Sequence, residues 1–392
     1  MRRSKVKRRI PSILAVGALF TVLAGTSLPQ VQARNVAAGR GPNPIQALKT
    51  KLKGHVFSKG PHGERAVLGT KIKLSQADLK KIRAKHATAA ISIHIGGDDW
   101  STAQENGLKF ELKKEGIRLV GLTEANGNAT TQASNIETLS ARRPTFLFSI
   151  PIDAIALASS YRRALSRHVK IVFMDVPAKG FVAGKDYVSD VSADNCGNGI
   201  ASAYLLANVV HKQGDVGAIY YAADFFVTNE RYRCFKATIE HNFPDIHIVE
   251  SQGVAAPDFA GNAERATTGI IAKHPNLAAI WSVFDIPAEG VEAALRGAGR
   301  TNIPIITEDL GLNAAVSIAS NGMIKALGAQ RPFDQGVTEA KLAGYNLLGR
   351  KAPPYVVLPA LVVRRSNVLK AWTEVYHTPP PAQLKKAYNS VH

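Results

Sequence analysis

The chain has 392 residues, 45% of them hydrophobic and 20% charged, with a formal net charge of +19. That composition suits a globular chain long enough for two domains and excludes disordered and fibrous classes. The charge invites a nucleic-acid reading, but residues 1–33 carry +6, residues 34–86 carry +11 and the remaining 306 only +2, so the body lacks a basic binding face.

The N-terminus reads as an export signal. MRRSKVKRR is basic, SILAVGALFTVLAG is apolar, and VQA places small residues before a cut at Ala33. The apolar run has 14 residues, whereas a membrane span needs roughly 20. Cleavage near Arg34 is therefore expected, with an uncleaved anchor as the alternative. No cysteine follows the cut, which argues against lipoprotein processing. Residues 34–86, rich in Gly, Pro and Lys, read as a solvated basic arm.

From residue 87 short apolar runs alternate with amphipathic stretches, the rhythm of parallel strands joined by crossover helices. The predicted strands are AAISIHI, IRLVGL, PTFLFSI and VKIVFMD, then DVGAIYY, IHIVES, LAAIWSV and IPIITED. The fold class is α/β, and two doubly wound parallel-sheet domains fit eight such units better than one sheet or a closed barrel. In open sheets of this kind ligands bind beyond the carboxyl ends of the strands. Polar and aromatic residues do collect there: Asp98 and Trp100 after the first strand, then Asp175, Asp285 and Asp309 after later ones. Singly each is an ordinary turn aspartate; together they occupy equivalent topological positions. In IGGDDWSTAQ either Asp98 or Ser101 caps the following helix, with Ser101 and Gln104 in capping-box spacing, while Trp100 either packs or offers its face to a ring. Cys196 and Cys234 lie 38 positions apart near two predicted helices; a disulfide requires those helices to be neighbours, and two cysteines build no metal cage.

Ordered motifs add a resemblance. GLKFELKKEG, VKIVFMD, ADNCGNGIASAYLLA, NERYRCFKATI, HPNLAAIWSVFDIPAEGVEAAL and AQRPFDQGVTEAKLAGYNLLG resemble, in that order, the ribose- and galactose-type periplasmic sugar-binding proteins of bacterial ABC importers. The similarity spans roughly residues 87–365. It implies the type I binding-protein fold, with lobes 87–187 plus 331–358 and 188–330 plus 359–366, a multi-crossing hinge between them, and a tail at 367–392. It also implies a monomeric periplasmic receptor that closes on a sugar, polyol or related solute and presents it to an inner-membrane permease with its ATPase. No cofactor, metal, catalytic residue or nucleic acid is expected. The implied ligand contacts are Asp98, Trp100, Asp175, Arg231, Phe259, Phe284, Asp285, Asp309 and Gln330, with His94 as an added donor or else a core histidine. Two positions depart from the ribose type: Val176 stands in place of an arginine, and Phe284 in place of an asparagine. Both remove donors, which points to a less hydroxylated or differently shaped ligand than ribose.

Other classes stay open at this point. A sugar sensor for chemotaxis or signalling would use the same lobes. A sugar-responsive transcription regulator shares the fold and has a basic N-terminal module, but here that segment follows an export signal and is broken by Gly and Pro. An exported enzyme could use strand-end carboxylates, yet no Ser/His/Asp set, phosphate loop or metal-spaced cluster is evident.

Overall fold

The computed structural model describes residues 43–391. The export signal and residues 34–42 lie outside the described residues. In chain order the strands are β1 (Val67–Leu68), β2 (Thr88–Ile93), β3 (Arg118–Glu124), β4 (Phe146–Ser149), β5 (Lys170–Met174), β6 (Asp190–Ala193), β7 (Gly214–Tyr221), β8 (Ile246–Val254), β9 (Ala279–Ser282), β10 (Ile305–Glu308), β11 (Ile324–Ala329), β12 (Tyr355–Leu358) and β13 (Leu361–Arg364). The helices are α1 (Pro44–Leu52), α2 (Gln76–Arg83), α3 (Asp99–Glu115), α4 (Ala129–Ala141), α5 (Ala158–Ser166), α6 (Asn195–Val209), α7 (Phe226–Asn242), α8 (Phe259–Lys273), α9 (Asp285–Gly297), α10 (Leu312–Ala319), α11 (Pro332–Leu347), α12 (Val368–Tyr376) and α13 (Ala382–Asn389).

Two sheets organise these elements. The first runs β1-β12-β6-β5-β4-β2-β3 and is parallel throughout. The second runs β13-β11-β10-β9-β7-β8 and is parallel except where β13 pairs antiparallel with β11. Helices cover both faces, so the central strands are apolar without alternation: Ala89, Ala90, Ile91, Phe146, Leu147 and Phe148 are all completely buried. The eight strands expected from the sequence are present, and the doubly wound two-sheet architecture is as anticipated.

The chain passes between the sheets three times, at Asp194 after β6, at Gln330–Arg331 after β11, and between β12 and β13. The expected first boundary at 187/188 is therefore displaced. β6 pairs with β5 and β12, and it stays with the first sheet because its short run, Asp190–Ala193, is buried on both sides.

The N-terminal extension also differs from a solvated arm. Ile45 and Leu48 of α1 pack on α6 within the core of the second lobe. The backbone N–H groups of Phe57 and Ser58 donate to the Asp194 carboxylate at 3.1 and 2.8 Å, and Ser58 Oγ donates to Glu230 Oε2 at 2.8 Å. The same extension then adds β1 to the edge of the first sheet and lays α2, with buried Leu79 and Ile82, against α3. Its few apolar residues are spaced for helix burial, and they decide the outcome over the surrounding lysines. The C-terminal segment packs too: Val368, Ala371, Trp372 and Val375 of α12 and Leu384 of α13 are in the second core. Cys196 on α6 and Cys234 on α7 form a disulfide, their Cα atoms 5.2 Å apart. No helix among the described residues is long and apolar enough to cross a membrane.

Candidate functional site

Strand ends deliver the site. After β2, two glycines turn the chain and Asp98 caps α3, its Oδ1 accepting from Ser101 N at 2.6 Å. Ser101 is thus inside the helix, and its hydroxyl donates to the Ile95 carbonyl instead. Capping at Asp98 sets Trp100 in the first turn, where its indole N–H donates to Gln330 Oε1 at 2.7 Å. That bond ties the first lobe's tryptophan to the hinge.

Asp175 and Asp309 are counterparts in the two lobes. Each follows its strand in the left-handed region, at φ 63° and 62°, a conformation that costs a non-glycine residue about 1 kcal/mol or more. Each also donates its own N–H across the sheet, Asp175 to Val191 O at 2.8 Å and Asp309 to Gly328 O at 2.9 Å. The neighbouring strand therefore fixes the bend and aims the carboxylate. Asp175 accepts from Ser192 Oγ at 2.7 Å and Gln335 Nε2 at 3.2 Å. Arg231, on α7 and only 2% exposed, grips Asp309 with both terminal nitrogens at 2.7 and 3.2 Å. It also lies 3.3 Å from Glu308 Oε2 and donates to Val283 O at 3.1 Å.

All ten residues singled out in the sequence, His94, Asp98, Trp100, Asp175, Arg231, Phe259, Phe284, Asp285, Asp309 and Gln330, line one cavity of about 600 Å³ between the lobes. A cavity of that size suits a small solute. Tyr221, Phe225, Asn126 and Asp99 also border it. Tyr221 and Asn126 sit at the ends of β7 and β3, so the strand-end rule that found the aspartates reaches them as well. Phe225 lies in a loop whose sequence carries no such signal. Val176 is buried but is not among the lining residues, so of the two departures from the ribose type only Phe284 alters the wall. The lobes meet across the cleft: Leu312 N, at the start of α10, donates to Asp99 Oδ2 at 2.7 Å, and the His94 ring lies parallel to Phe225 at 6.1 Å.

A family profile described as a periplasmic binding protein domain matches residues 89–351. The chain belongs to that family. The binding protein is 26% identical over 288 residues to the ribose import binding protein of Escherichia coli, covering 71% of this chain and 91% of that one. It is 23% identical over 274 residues to the D-allose-binding periplasmic protein of the same organism, covering 66% and 86%. Among solved structures, an ABC transporter solute-binding protein from Agrobacterium vitis bound with α-D-tagatopyranose superposes with a TM-score of 0.67 at 20% identity, covering 74% of this chain and 99% of that one. Residues 43–88 lie before the span that the family profile matches.

The electrostatics of the binding protein's cleft follow from burial. Burial raises the Asp98 carboxyl, partly offset by its bonds from Ser101. It pushes Asp175 up to about 6 and Glu308 up to about 8. Asp285 is raised well above the usual range, by burial first and then by Asp309 and Asp98. Burial works against the Arg231 charge, but Asp309 and Glu308 outweigh it and hold the guanidinium above its ordinary value. His94 is pushed down to about 4 by burial, leaving a neutral ring whose Nδ1 has no partner among the described residues. Among these residues no group of His, Cys, Asp and Glu is arranged to hold a metal ion.

Proposed function

We propose that the protein is a periplasmic receptor that captures a sugar or polyol between its lobes and delivers it to an inner-membrane ABC permease. The observation that carries this reading is the convergence, from two separate sheets, of aromatic faces and strand-end carboxylates on one cavity of about 600 Å³. Aromatic faces pack on the C–H surface of a ring or polyol, while carboxylates accept from its hydroxyls. Family membership and the sugars named for its relatives support the same class.

Closure would be a population shift: contacts made only when both lobes engage the solute stabilise the closed form. In this scheme Trp100 and Asp98 approach from the first lobe, Asp285, Phe259 and Phe284 from the second, and Gln330 spans the hinge. Arg231 holds Asp309 in its bent conformation, so that a ligand meets a pre-aimed pair. The permease would recognise the joined outer surfaces of the two lobes. Native mass spectrometry of protein purified from its own host tests the reading directly. A copurified sugar or polyol is the expected result. A copurified peptide or nucleotide would overturn it, and so would turnover of the bound solute.

A further inference from the structure

We propose that the solute carries a protonated amine on its hydroxylated frame, seated between Asp98 of the first lobe and Asp285 of the second. This rests on the solute-binding reading above and narrows it.

The first support is the balance of charge in the cavity wall. Asp98, Asp175, Asp285 and Asp309 face it, and the one buried cation among the lining residues is Arg231. That cation is already engaged, by two bonds to Asp309 and by Glu308 behind it. Asp175 has its own neutral donors in Ser192 and Gln335. Asp98 and Asp285 are left with only local bonds, from Ser101 and from Ile286 N at 3.0 Å. They border the same cavity from opposite lobes; Asp309 and Asp98 both act on the Asp285 carboxyl, and Asp309 and Asp99 act on Asp98. Closing the cleft on an uncharged solute leaves these carboxyls without a counter-ion and drives them to take up protons, a cost that shows in the raised Asp98 and Asp285. A hydroxyl can donate to a carboxylate but leaves its charge in place. An ammonium supplies three donors, no acceptor and the missing positive charge.

The second support is the shortage of donors for a fully hydroxylated ligand. Trp100 N–H is committed to Gln330, and a neutral His94 offers at most one ring N–H. Asn126 and Tyr221 can still donate, but seven carboxyl groups border the cavity, so the wall favours a ligand rich in donors. The third is the ring cluster. Phe259 stands edge-on to Tyr221 and to Phe284 at 5.3 and 5.1 Å, and these faces, with Trp100 opposite, border the same cavity as the carboxylates. Aromatic faces attract cations as well as C–H surface.

The test uses the mature protein and matched solutes, titrated by calorimetry: D-glucose, D-glucosamine and N-acetyl-D-glucosamine; D-galactose and D-galactosamine; sorbitol and 1-amino-1-deoxysorbitol. The free amine of at least one set is expected to bind about tenfold or more tighter than its neutral partners, the worth of a charge-assisted bond. Asp285→Asn should weaken the amine about tenfold more than it weakens its neutral partner, so that most of the advantage is lost. Asp98→Asn serves as the second variant, and melting temperatures confirm that both fold. Neutral solutes that bind as well as their amines overturn this inference and leave the sugar reading standing. An amine advantage that survives both substitutions also overturns it. If no member of any set binds, this inference falls, and the sugar reading is decided by the copurified solute.

Discussion

Replacing Arg231 with alanine should cost the ligand-free protein about 3–5 kcal/mol, the penalty for breaking a buried ion pair. The side chain is 2% exposed and makes two bonds to Asp309, one to Val283 O and one to Asn195 Oδ1 at 3.3 Å, with Glu308 beside it. Removing it strands two carboxylates unequally. Glu308, pushed up to about 8 by burial even beside Arg231, is already largely protonated at neutral pH and so limits its share of the damage. Asp309, 15% exposed on its side chain, loses both guanidinium bonds in a left-handed turn that Arg231 helped to hold. Asp309 should therefore dominate the loss. Urea unfolding of the ligand-free variant measures it, and an unchanged m-value shows that the native fold is retained. Adding Glu308→Gln to the variant should recover only about 1 kcal/mol, the worth of an ordinary hydrogen-bonded group. A loss below about 1 kcal/mol for Arg231→Ala, at constant m, would refute the view that this network stabilises the lobe. The family likeness implied a ligand contact at Arg231; its burial makes it a folding residue too.

Trp100→Ala should leave the melting temperature close to wild type and weaken sugar or polyol binding by about thirtyfold, from roughly 2 kcal/mol of lost apolar burial; calorimetry with unchanged affinity would remove Trp100 from the contact set. The Cys196→Ser, Cys234→Ser double variant should lose about 3–4 kcal/mol in chemical unfolding, given a loop closing over 38 positions; equal stability with and without reductant in the wild type would contradict this. Glu115, raised to about 9 by burial, has a folded-state value above its unfolded one, so stability should decline as pH rises from about 4.5 toward about 9. Glu115→Gln should flatten that slope and stabilise at pH 8, read from melting temperature against pH; an unaltered slope would refute the assignment. Deleting residues 43–60 should lower the melting temperature by several degrees through loss of Ile45 and Leu48; because none of these residues borders the cavity, intrinsic affinity should stay within threefold.

Where the local pattern and the final environment agree, the sequence was legible. Apolar runs such as AAISIHI can only be strands covered on both faces, and the strand-end rule then pointed to Asp175 and Asp309 without any knowledge of their partners. What could not be read was tertiary. β6, β12 and β13 are four residues each, too short for a periodicity, and they become strands because their neighbours complete the sheet. α1 was hidden by its lysines, since Ile45 and Leu48 alone do not announce which helix they will meet. The cysteines required α6 and α7 to be adjacent, a fact of packing that their spacing does not contain. Phe225 reached the cleft through loop geometry, and the sequence offers no rule for that. Arg231 was found through family likeness, but its near-complete burial and its two acidic neighbours were not foreseeable from the helix that carries it.

The clasp of the N-terminal extension has a consequence for the order in which the molecule is completed. Phe57 and Ser58 are made early, yet the groups that receive them, Asp194 and Glu230, lie 136 to 172 positions further along the chain. The surface of α6 that seats Ile45 and Leu48 is equally late. Until residue 230 has emerged and both lobes have taken shape, this stretch has no berth, and its apolar side chains stay available to other chains or to chaperones. Contacts so distant in sequence are closed slowly. The first described turns of the polypeptide are thus among the last to be locked, and they close like a seal over a finished hinge.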